Sequence, residues 1–73
     1  MLLSQIKQNE TATIIGVDDG CTLKRRLCDM GFVSGQQICC TDIGFCGSPI
    51  AYTIRGSKIA LRKKDASMIG VVL

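Results

Sequence analysis

The sequence predicts a small, mainly β fold: five short strands closed or nearly closed into a barrel, with one or two short helices. Three observations carry that expectation. Apolar residues alternate with polar ones in short runs instead of recurring at helical spacing over most of the chain. Turn-forming Gly, Asp, Asn and Pro interrupt these runs at short intervals. With 73 residues there is room for a single domain only, spanning 1–73, and closing its sheet would remove exposed edges.

The elements follow in order. "LLSQIK" reads as one helical turn, with Leu3 and Ile6 on the same side. "NETATIIGV" alternates as a strand, Ala12 and Ile14 facing one way and Thr11, Thr13, Ile15 and Val17 the other, and "DDG" closes it with turn chemistry. A helix is expected from about Thr22 to Met30, capped by Asp19 or Thr22. Its apolar stripe is Leu23, Leu27 and Met30, at i, i+4 and i+7. Gly31 stands where a left-handed C-terminal residue is wanted, so the helix should stop there. Gly35 turns the chain into the strand "QQICCTDI", the loop "GFCGSP" follows, and "IAYTI" returns with Ile50, Tyr52 and Ile54 on one face. "RGSK" suits a hairpin with Gly56-Ser57 as its two-residue turn, leading into "IALR". "KKDASMI" allows about a turn of helix capped by Asp65, and "GVVL" ends the chain as a strand.

Composition narrows the functional classes. A chain of this size buries only about 60% of the surface its unfolded form exposes, so a deep catalytic cleft would compete with a small core. The hydrophobic fraction is 47% with one Tyr and two Phe, leaving the core to aliphatic residues, Met and Cys. Net charge is +3, its cations interleaved with apolar residues, which supports a mild preference for acidic partners and no strong nucleic-acid reading. No apolar run approaches the roughly 18 residues of a membrane span, and "MLLSQIKQ" lacks the marks of a secretory signal. Five cysteines, an odd number, fit a reducing compartment better than a disulfide scaffold. The expected setting is the cytoplasm.

"RRLCDMGFVSGQQI" and "GSPIAYTIRGSKIALRKKDASMIGV" together resemble the FeoA family, ferrous iron transport protein A. The first carries the family's arginine-leucine, methionine-glycine and glycine pattern. The second carries Pro49, Ile50, Gly56, Ile59, Ala60, Leu61 and Arg62, then Ala66, Ile69 and Val71. The resemblance runs from about Leu3 to Val72. It implies an SH3-like barrel and a cytosolic accessory of the FeoB membrane transporter, which carries Fe(II) and has a cytoplasmic GTP-binding domain. The family often has Gly before the first strand where this chain has Asn9, the next best residue at a left-handed position. The cysteines are not a family feature, so no metal role is carried over to them. The same barrel ends iron-dependent repressors, but here no helix-turn-helix segment precedes it, which argues against direct DNA binding.

Cys21, Cys28, Cys39, Cys40 and Cys46 form no paired C-x-x-C spacing, and there is no His. Cys39 and Cys40 are adjacent in a strand and point to opposite faces, so they are expected to pack or face solvent. A site from Cys40 and Cys46 with Cys21 or Cys28 remains as the alternative: a stand-alone metal or redox sensor. The carboxylates Glu10, Asp18, Asp19, Asp29, Asp42 and Asp65 are scattered and form no acid-base pair, and the glycines form no phosphate cradle, so no enzyme and no cofactor are expected.

The basic row Lys24, Arg25 and Arg26 has two readings. As solvated flanks of Leu23 and Leu27 the three need no further role. As a contact, Arg suits it better than Lys, because the guanidinium fork binds carboxylate or phosphate in bidentate fashion. Consecutive residues point about 100° apart on a helix, so at most one arginine is central. The expected partner surface is Lys24, Arg25, Arg26, Met30 and Phe32, with Phe45 added from a hairpin tip. An arginine finger acting on a GTPase is a related option. A small nucleic-acid-binding barrel is the weaker third class, since exposed aromatic rings are scarce. An unpaired strand edge would allow weak self-association.

Overall fold

The computed structural model describes residues 1–73, leaving aside only the side chain of Cys46. Five strands form one antiparallel sheet: β1 (Thr11–Val17), β2 (Gln37–Ile43), β3 (Ile50–Ile54), β4 (Ser57–Leu61) and β5 (Ile69–Val72). Their spatial order is β4-β3-β2-β1-β5. Two helices, α1 (Lys24–Asp29) and α2 (Lys63–Ala66), and single 3-10 turns at Leu3–Gln5 and Phe45–Gly47 complete the chain. The mainly β, five-stranded expectation holds.

The alternation read from the sequence is the alternation of burial. Ala12 and Ile14 of β1, Ile38 and Cys40 of β2, and Ile50, Tyr52 and Ile54 of β3 face the core. Leu3 and Ile6 close one end, and the Tyr52 hydroxyl donates to the Leu3 carbonyl at 3.4 Å. Leu27, Phe32, Leu61, Ala66, Ile69 and Val71 complete the cluster. Asn9 holds the left-handed conformation expected of it, with φ of 69°, and its N–H donates to the Cys40 carbonyl. Bulges between Ile14 and Gly16 and between Cys40 and Asp42 curl the sheet.

Four local expectations need correction. The sheet does not close. β5 cannot pair with β4, because its second edge is occupied by the N-terminal segment, where Leu2 bridges Gly70 and the Val71 N–H donates to the Met1 carbonyl. The β3–β4 turn is Arg55-Gly56, one residue earlier than expected; both have positive φ, 51° and 80°, as a turn matching the sheet twist requires. Neither Asp19 nor Thr22 caps α1, which is preceded by Leu23 with no side-chain cap. Asp65 lies inside the first turn of α2, where its carboxylate pairs with the guanidinium of Arg62 at 3.5 Å.

Candidate functional site

The exit of α1 organises the candidate surface. The Phe32 N–H donates to the Leu27 carbonyl at 2.9 Å and the Gly31 N–H to that of Cys28 at 3.1 Å. These are the two bonds of a Schellman ending, with Gly31 at φ of 106° as the left-handed residue. That motif characteristically brings the residue after the glycine against the last helical turn, and here Phe32 and Leu27 are both buried. Phe32, expected at the partner surface, is therefore a core residue that locks the helix exit and offers nothing to a partner.

Met30, assigned by its spacing to the buried stripe, is 36% exposed. A helix of only six residues has one firmly anchored position, and Leu27 takes it while Leu23 is half-buried. Arg26 and Leu27 of α1, with Leu23 just before the helix and Met30 just after it, face Ile59, Ala60 and Leu61 of β4 across a groove of about 230 Å³. Of the two arginines, Arg26 lines this groove, and Arg25 is exposed without lining it. The structure thus separates them as helical geometry requires.

Lys24 is not a free contact. Its ammonium pairs with Asp19 in the preceding loop, and the hydrogen bond holds the Asp19 carboxyl below and the Lys24 ammonium above their usual ranges. Both groups are solvated, so the pair adds little to stability. Phe45 is 94% exposed on the β2–β3 connection and does not line the groove.

Arg55 belongs to this surface and was not legible in the sequence. From the β3–β4 turn its side chain lies across Gly31, where an added Cβ would come within 2.6 Å of the Arg55 Cδ. Nothing local in "RGSK" signals that contact, which joins residues far apart in the chain.

The cysteines are dispersed: Cys21 lies in the loop before α1, Cys28 on α1, and Cys39 and Cys40 on β2 with opposite orientations. Cys40 is buried, and burial pushes its thiol above the usual range, away from the thiolate that metal binding or redox chemistry needs. Among the described residues no three His, Cys, Asp or Glu side chains are grouped as ligands, and the Cys46 side chain lies outside the described set. Several carboxylates have structural partners: Asp18 accepts from the Gly20 N–H at 2.7 Å and Glu10 from the Lys7 N–H at 2.8 Å, while Asp19 and Asp65 are in ion pairs.

Comparison with known proteins places this geometry. The family model of the FeoA domain matches residues 1–73. A Porphyromonas gingivalis (strain ATCC BAA-308 / W83) protein, the Fe(2+) transport protein A/Fe(2+) transporter FeoB fusion protein, is 32% identical over 73 residues, which are 100% of this chain and 9% of that protein. The solution structure of FeoA from Chlorobium tepidum superposes with a TM-score of 0.92 at 29% identity, covering 100% of this chain and 70% of the other. FeoA from Stenotrophomonas maltophilia, crystallised with zinc and described as a procaryotic SH3 domain protein, gives 0.88 at 27% identity over 97% of this chain and 88% of its own. A manganese-dependent transcriptional repressor shares the fold alone, with a TM-score of 0.86 at 18% identity, over 99% of this chain and 40% of the repressor.

Proposed function

Because the chain belongs to the FeoA domain family, we propose that it is an accessory docking module of a ferrous iron transport system, binding the cytoplasmic portion of a FeoB-type transporter and adjusting its GTP-dependent Fe(II) uptake. The observation that carries the reading is the Porphyromonas gingivalis fusion, in which a segment 32% identical to this chain shares one polypeptide with FeoB. Fusion makes docking intramolecular and raises its effective concentration, an arrangement favoured when two parts work in contact. Cytoplasmic placement follows from the same partner.

The role is binding, without catalysis. Histidine is absent, and the carboxylates with structural partners are committed to turns and ion pairs. The contact residues are Arg25 and Arg26 on α1 and Met30 at its C-terminal end, with Phe45 as a second anchor. Lys24 stands at their margin in its pair with Asp19. Phe32 supports the surface from below. Guanidinium groups beside an apolar groove suit a partner that presents carboxylates around an apolar side chain.

The test is binding of the purified domain to detergent-solubilised FeoB-type transporter, with GTP hydrolysis followed alongside. Arg25→Glu/Arg26→Glu should weaken binding by about tenfold or more while the melting temperature stays within a few degrees of wild type. Equal affinity removes this surface from the account.

A further inference from the structure

The two outer strands of the sheet are finished differently. β5 is covered on its free side: the Val71 N–H donates to the Met1 carbonyl at 2.8 Å, the terminal ammonium donates to the Val71 carbonyl at 3.2 Å, and Leu2 bridges Gly70. Among the described residues β4 has no such cover. On its inner side it pairs with β3 in the register Ile54–Ser57, Thr53–Lys58, Tyr52–Ile59, Ala51–Ala60 and Ile50–Leu61. The two-residue turn makes Ile54 and Ser57 a hydrogen-bonded pair, and in an antiparallel ladder such pairs alternate with non-bonded ones. Ser57, Ile59 and Leu61 therefore direct their N–H and C=O groups to β3, whereas Lys58 and Ala60 direct theirs outward. Both are exposed, and among the described residues neither has a backbone partner elsewhere. Such an edge is a template for a further strand.

The groove described above lies between α1 and this same strand. Its walls are largely apolar, and three cations stand on or near it. Arg26 lines it, Arg55 reaches back across Gly31, and Lys58 stands on the edge strand itself. Among the described residues none of these three cations is in an ion pair.

We propose that the β4 edge is a strand-addition site for an extended acidic segment of a protein partner. The backbone of that segment pairs with Lys58 and Ala60, an apolar side chain enters the groove, and its carboxylates meet Arg26, Arg55 and Lys58. The proposal deepens the docking reading above and takes it as its premise. Charge selects this occupant over a second copy of the chain: β4 against β4 would bring Arg55, Lys58 and Arg62 of one copy up to the same cations of the other. A nucleic-acid backbone has no alternating N–H and C=O groups with which to extend a sheet.

The test uses the whole domain and a fluorescent ten-residue peptide of alternating Glu and Val. Ala60→Pro removes the outward N–H at a position where proline is tolerated, because that group makes no ladder bond. Expected are saturable binding, slowed amide exchange at Lys58 and Ala60, affinity weaker by about tenfold for A60P, and no binding of the matching Lys-Val peptide. Equal affinity for wild type and A60P, or protection elsewhere than on β4, overturns the proposal. Should A60P fail to fold, a probe N-methylated at alternate residues replaces it; that probe should lose binding, and undiminished binding overturns the proposal equally. The transporter separates this from its premise. If it binds wild type and A60P alike while Arg25→Glu/Arg26→Glu weakens it, the edge assignment falls and the docking reading stands; if it binds none of them, the docking reading falls and the peptide titration decides the edge by itself.

Discussion

Gly31 and Phe32 show how single residues set the surface. Gly31 has φ of 106° with the Arg55 Cδ packed where a Cβ would go, so Gly31→Ala meets both backbone strain and a contact too close to keep. The expected cost is about 1–2 kcal/mol, read as a lower urea midpoint with an unchanged slope. Phe32→Ala empties a fully buried site and should cost about 3–5 kcal/mol, most of the stability of so small a domain. Its partner binding would then fail through unfolding, which circular dichroism separates from loss of a contact. Burial raises both Cys40 and Tyr52 above their ordinary values. The folded state therefore holds these protons more tightly than the unfolded chain, and the stability they contribute is intact below about pH 9 and declines as pH rises beyond it. Urea unfolding at pH 7.5 and pH 10 should show that loss, and Cys40→Ala should reduce it.

At the scale of elements, strand alternation and the helix stop were legible because each depends on neighbours a few residues away. Ile50, Tyr52 and Ile54 face the core as their spacing requires, and Gly31 ends α1 where a left-handed residue was needed. The turn register was misread by one residue because "RGSK" offers glycine-containing turns in two frames. The frame with Arg55 left-handed keeps Ile54 buried in pair with Ser57 at the start of β4. Met30 was assigned to the core by periodicity, but α1 is too short to bury every member of its stripe. Half of the candidate site was legible in the same way: the arginines stand on one short helix with Met30 at its end, whereas Arg55 and the edge of β4 join them only in three dimensions. Single charge reversals should divide accordingly. Arg26→Glu, on the groove, should weaken transporter binding more than Arg25→Glu, and titration of each variant against the solubilised transporter checks the order.

For the molecule as a whole, openness of the sheet is the feature that composition and alternation did not reveal. A closed barrel would have used both edges, but β5 is paired with the N-terminal segment and β4 is left facing solvent beside α1. The fold presents a largely apolar groove with Arg26 in its lining, next to β4 backbone groups that make no ladder bond to β3. That combination supports the docking role proposed above for this chain of the FeoA domain family, whose Porphyromonas gingivalis relative is a fusion with FeoB. The most direct test is the dissociation constant of the domain for a solubilised FeoB-type transporter, measured for wild type and for Arg25→Glu/Arg26→Glu at matched thermal stability. The account predicts saturable binding by wild type and a loss of about tenfold or more in the variant. No binding by wild type, or identical constants for the two proteins, would contradict it.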